Sequence, residues 1–155
     1  MDLFGACINA HGWRLVSVTD SKRYSEALGA IGTEQVQLCS REDLQPIFVK
    51  KMPCRAKDAS QEQLSDRSKI SKDEKIAFMR WRVLSEESNQ KAAKIHREYN
   101  RQTGDAVASL VKNNEEASTK LAAQLYDGRI SWGQYNNGRI EIGLQMEQEA
   151  KNLLH

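Results

Sequence analysis

Three cysteines, three histidines and two adjacent glutamate pairs are the residues of this 155-residue chain whose types could do chemistry, and their spacing limits what that chemistry is. Cys39 and Cys54 are separated by 14 residues that include Pro46 and end in Met52-Pro53-Cys54. Closing a loop of about 15 residues contributes on the order of 3 kcal/mol, so a disulfide here is expected to staple an N-terminal region with few large apolar groups. The alternative is two reduced thiols in a cytosolic protein. A metal centre is not expected, because there is no CxxC pair and His11, His96 and His155 stand far from the cysteines. Catalytic groups do not converge either. No Ser, His and acid fall in a nucleophile context, no glycine-rich phosphate loop is present, and Glu86-Glu87 and Glu115-Glu116 lie on a predicted helix exterior as solvated charges. The chain is therefore expected to be non-enzymatic, with no catalytic residue and no cofactor.

The third cysteine ends Leu3-Phe4-Gly5-Ala6-Cys7, which resembles the lipobox of bacterial lipoproteins, with Phe4 where that motif usually has leucine. The resemblance implies a lipid on Cys7, attachment to a membrane, and an apolar segment ahead of Leu3. The other reading of Cys7 is a small apolar residue near a frayed terminus. No run approaches the roughly 20 apolar residues that span a bilayer, so the chain itself is expected to be soluble. Its 23 basic and 21 acidic residues are interspersed, for a net charge of +2, and so name no anionic partner. Lys50, Lys51, Arg55 and Lys57 lack interleaved aromatics and read as a solvated loop, so nucleic acid is not expected as a partner.

The elements that must position these residues are mainly helical, since prolines number two and glycines nine. Residues 1–57 read as a small α+β unit: a strand at Trp13–Val18 pairs with Glu34–Cys39, and Ser25–Gly32 between them is a helical turn or a loop. Ser40-Arg41-Glu42-Asp43 can cap a short helix limited by Pro46, and Ile47-Phe48-Val49 should pack under the bridge. Residues 58–71 form a polar connector, and residues 72–155 a long helix followed by a returning one.

The long helix starts at a capping box, Ser71-Lys72-Asp73-Glu74. Ile76, Met79, Val83, Ala92, Ile95, Tyr99, Ala106, Leu110, Ala117, Leu121 and Leu125 recur at mostly helical spacing, with polar interruptions near Ser88, Thr103 and Asn114. One continuous helix of about fifty residues would be on the order of 75–80 Å long. Gly104 marks either a bend or break, or a glycine tolerated on a solvent face. The helix should end at Tyr126-Asp127-Gly128, and a second capping box, Ser131-Trp132-Gly133-Gln134, should start the antiparallel return, with Ile130 stapled to Tyr135. Gly133, Asn136, Asn137 and Gly138 are weaker helix formers than that position calls for.

The turn Leu125-Tyr126-Asp127-Gly128-Arg129-Ile130-Ser131-Trp132-Gly133-Gln134-Tyr135 resembles the short C-terminal helical-hairpin modules of bacterial envelope and oligomerising proteins. With Cys7 and the bridge, the chain resembles small proteobacterial periplasmic or outer-membrane lipoproteins of uncharacterised role. The expected function is structural or assembly work in the cell envelope, by self-association or with a protein partner. Ile76, Met79, Arg80, Trp81, Val83, Ile95 and Tyr99 are the expected contact residues, because the returning helix is too short to cover them. Trp81, between Arg80 and Arg82, either anchors that partner or covers the junction with the N-terminal unit. The alternative is a cytosolic helical adaptor or an ancillary nucleic-acid binder using Lys50, Lys51, Arg55, Arg80 and Arg82.

Overall fold

A computed structural model describes the backbone at residues 4–9 and 12–154 and the side chains at residues 21–153. The chain is mainly helical. Strands β1 (Phe4–Asn9) and β2 (Gly12–Ser17) form an antiparallel hairpin. The partner of the strand near Trp13 is therefore the preceding segment, not Glu34–Cys39. Those later residues belong to α1 (Val18–Leu38), which also absorbs the expected turn at 25–32. Tyr24, Leu28, Ile31, Gln35 and Leu38 are the reason: they recur at spacings of four and three and form the inward row of this helix. Val36 and Leu38 fit a strand's alternation only locally, and Val36 is exposed.

After α1 come a 3-10 turn at Glu42–Leu44, another at Ala56–Asp58 and the one-turn α2 (Gln61–Leu64). The first has Arg41 before it and no side-chain cap, in place of a Ser40-capped helix. The connector is more ordered than its polarity suggests, because Ser60 and Gln63 form a reciprocal capping box and the buried Gln63 amide also donates to the Val49 carbonyl at 2.8 Å.

The expected fifty-residue helix is two antiparallel helices, α3 (Lys72–Tyr99) and α4 (Gly104–Tyr126), so its 75–80 Å span does not exist. The Ser71–Glu74 capping box starts α3 as expected. Asn100 ends it: its side-chain oxygen accepts from the Thr103 amide, its side-chain nitrogen donates to the Thr103 hydroxyl, and its carbonyl accepts from the Gly104 amide at 2.7 Å. Gly104 then lies directly on the end of α3, where a Cβ would stand 2.2 Å from the His96 carbonyl oxygen. The break is thus a local polar turn plus a backbone approach that only glycine permits.

The C-terminal turn forms as its residues predict. Gly128 takes φ +71°, the Gly128 and Arg129 amides return to the Leu125 and Gln124 carbonyls, and Ser131 and Gln134 cap α5 (Trp132–Leu154) reciprocally. The core gathers around this turn. Leu44, Ile47, Phe48, Met52, Phe78, Leu125, Trp132 and Tyr135 are almost fully buried together, and Phe78 meets Trp132 and Tyr135 edge to face.

Candidate functional site

The seven contact residues expected on α3 separate into two faces. From Val83 to Ala92 is nine residues, two and a half helical turns, so a row through Ile76, Met79 and Val83 cannot continue through Ala92, Ile95 and Tyr99. The inward register of α3 instead runs Ala77, Trp81, Leu84, Ser88, Ala92, Ile95, Tyr99, at spacings of four and three. The half-buried Ile95 and the edge residue Tyr99 face α1, where Tyr24 stacks on Tyr99 and hydrogen-bonds to Nδ1 of His96 at 2.7 Å. Burial lowers the His96 pKa and favours its neutral form. Within the N-terminal segment α1 thus lies along the far end of α3, while Ile47, Phe48 and Met52 pack near its start with Ala77 and Phe78.

Ile76, Met79 and Val83 form one outward row, and they are 69, 47 and 52 % exposed. Arg80 beside them is exposed and ion-paired with Asp43 at 2.7 Å. Trp81 is half-buried, set against Phe48 and Phe78 at the junction with the N-terminal segment, with the guanidinium groups of Arg82 and Arg139 over its ring.

That junction holds the bridge. Cys39 and Cys54 form a disulfide with Cα atoms 5.6 Å apart. Around it, α5 docks on the loop at 49–68 through the residues that weaken it as a helix. The Asn136 amide donates to the carbonyls of Lys51 and Gln63, the Asn137 amide to that of Leu64, and Arg139 to those of Pro53 and Cys54. Gly133 lies so close that a Cβ would stand 2.5 Å from the Leu64 oxygen. Ile47 and Phe48 pack here as expected, but Val49 does not. It is 76 % exposed at φ +71°, in a three-residue turn closed by the Lys50 amide on the Phe48 carbonyl at 2.9 Å. A β-branched residue in that conformation is strained.

The cations of the alternative reading are mostly neutralised. Lys51 bonds Asp66 and Ser68, Arg55 bonds Asp58, Arg80 bonds Asp43 and Arg82 bonds Glu115, whereas Lys50 is exposed. Burial raises the Asp66 pKa, but hydrogen bonds from Ser68 and Lys51 outweigh it and hold the carboxyl below its ordinary range. Glu86, Glu87 and Glu116 are exposed, as a helix exterior requires. Glu115 is not: it sits between α3 and α4, gripped by Arg82 and the Asn89 amide, on the floor of a groove of about 630 Å³ whose apolar part is Ala93, Ala108 and Val111. Both Glu115 oxygens are engaged by neighbours, and the other two carboxylates of the groove, Glu86 and Glu116, lie at its exposed rim. A second hollow beside the start of α5 involves Arg67 and Lys69, yet the first amides of α5 are used by Ser68, Asp66 and Ser131.

Among the described residues no three His, Cys, Asp or Glu side chains gather as for a metal, and no helix is long and apolar enough to cross a membrane. Cys7 lies in β1, in register with Arg14, and the reading of its side chain as lipidated falls outside the described residues. The sequence signal for the outward row was present in its own spacing; the exposed Val49 had no local signal. No family model, curated protein or solved structure matches the chain.

Proposed function

We propose that this chain is a non-enzymatic assembly component of the bacterial cell envelope, akin to small periplasmic lipoproteins, that pairs with a second copy of itself through α3. The observation that carries the reading is the outward row Ile76, Met79 and Val83, three large apolar side chains in succession left in water. Fully burying such a side chain is worth on the order of 1.5–3 kcal/mol, and successive exposed apolar positions on one helix face make an association surface. A two-fold pairing lets this one row serve both copies as a self-complementary surface. The Cys39–Cys54 bridge supports an oxidising compartment such as the periplasm, and a lipid on Cys7 would hold the assembly at a membrane.

Analytical ultracentrifugation over a wide concentration range tests the pairing. A dimer that forms with rising concentration and is lost in Val83→Glu, with helix content unchanged, supports it. A chain that stays monomeric throughout overturns it, leaving a heterologous partner for the row.

A further inference from the structure

We propose that α1 is a redox-gated strap: reduction of Cys39–Cys54 lets it swing off α3 while α3, α4 and α5 stay assembled. The inference is independent of what the outward row of α3 binds.

The packing of α1 is thin. Among its described residues only Leu38, the last, is buried, and the inward row Tyr24, Leu28, Ile31 and Gln35 is half-buried. Among its described residues the polar and aromatic contacts with α3 are the Tyr24 pair with His96 and Tyr99, an amide bond from Gln35 to Asn89 at 3.4 Å and an exposed ion pair between Glu34 and Lys91. Exposed ion pairs hold little. Beyond the bridge the situation reverses. Leu44, Ile47, Phe48 and Met52 are 0–2 % exposed, and the loop after them is held by Gln63, Asn136 and Arg139 independently of the cysteines.

Between the two regimes lie Ser40 to Asp43, four residues outside the core. The bridge ties the end of α1 to Cys54 across this hinge and, with the Gln45 amide on the Cys39 and Arg41 carbonyls, sets the direction in which the helix leaves the core. A 21-residue helix is about 31 Å long, so a small rotation at the hinge carries its far end well clear of His96. Cys54 is exposed and Cys39 half-buried, so the bridge is open to attack. A thiolate of a dithiol reductant attacks Sγ of Cys54 and expels the Cys39 thiolate. The reductant's second thiolate then resolves the mixed disulfide, so that two electrons and two protons end on Cys39 and Cys54 and the reductant leaves as its own disulfide. What α1 uncovers is the strip of α3 that meets it, from Asn89 to Tyr99, of which Tyr99 already stands at the edge.

The test is hydrogen–deuterium exchange on the whole chain carrying Cys7→Ser, so that no third thiol can exchange, before and after dithiothreitol. Amides at 21–37 should exchange at least tenfold faster after reduction, while those of α3, α4 and α5 remain protected over minutes. A double variant, Cys39→Ser with Cys54→Ser, should show the same pattern without reductant. Unchanged exchange in α1, simultaneous loss of protection in all helices, or failure of the double variant to fold each overturns the proposal, the last two because the bridge would then staple the whole chain.

Discussion

Replacing Gly104 by alanine distinguishes a continuous helix from the broken one, because the two arrangements demand opposite signs. In an uninterrupted helix with Gly104 on a solvent face, alanine stabilises by about 1 kcal/mol. In the antiparallel α3–α4 pair the new Cβ would stand 2.2 Å from the His96 oxygen, 2.9 Å from its carbonyl carbon and 3.1 Å from Arg97 Cα, where ordinary contact begins near 3.4 Å. All three are backbone atoms, so the clash cannot be relieved by a rotamer change. The start of α4 must move away by about 1 Å, loosening the 2.7 Å bond from the Gly104 amide to Asn100. Overpacking of this kind costs about 1–3 kcal/mol, so the expected net loss is about 1 kcal/mol after the propensity gain of about 1 kcal/mol. At roughly 2–4 °C per kcal/mol for a chain of this size, Tm should fall by about 2–4 °C in a thermal melt followed by circular dichroism. Gly143→Ala is the internal control, since Gly143 lies within α5 with nothing near its Cβ position and should gain about 1 kcal/mol. If Gly104→Ala rises in parallel with Gly143→Ala, the turn at Asn100 is wrong and the single long helix stands.

Three further outcomes follow from single groups. Ser88 is fully buried and its hydroxyl has no hydrogen-bond partner, so Ser88→Ala should raise stability by about 1 kcal/mol in urea denaturation, and a loss of stability would show that the hydroxyl is satisfied after all. Val49→Gly should likewise raise Tm, by relieving a positive-φ strain on the order of 1–3 kcal/mol against a smaller entropic cost; a lower Tm would place Val49 in a packed role. Because burial holds the folded-state His96 pKa below its ordinary 6.5, the unfolded chain binds the extra proton, so stability is complete above that value and declines as pH falls through the folded-state pKa. The drop in Tm from pH 7.5 to 5.5 should shrink in His96→Gln, and an equal drop in both proteins would assign the titration elsewhere.

What could be read from the chain alone was whatever a few neighbouring residues decide. Both long capping boxes, the left-handed Gly128 and the return of α5 follow from side chains within four residues of the backbone they serve. The Cys39–Cys54 pairing was legible because chain length alone sets its loop entropy. The α3 stripe changes face at one step: the nine residues from Val83 to Ala92, with Ser88 between them, move the row half-way round the helix. The exposed row and the inward register were both in the sequence, but choosing between them required knowing that Ser88, polar and fully buried, belongs to the seam.

The reversal at Asn100 and the docking of α5 were hidden for a different reason, which also explains the poor helix formers in its first turns. A helix that must lie against a loop with unpaired carbonyls needs small residues to let the backbones approach and amides to satisfy them. Gly133, Asn136 and Asn137 supply these functions against Leu64, Gln63 and Lys51, some seventy to eighty-five residues earlier in the chain. Locally the same residues argue against a helix by up to about 1 kcal/mol each. The burial of Trp132 and Tyr135 beside them offsets that cost many times over, since each removes a large aromatic surface from water. Weak helix formers at the start of a helix, as behind the Ser131 cap and at Gly104, where Thr103 makes no side-chain cap, therefore mark places where another backbone comes close. Only the distant segment determines which backbone that is, and a periodicity argument that looks no further than one helix cannot supply it.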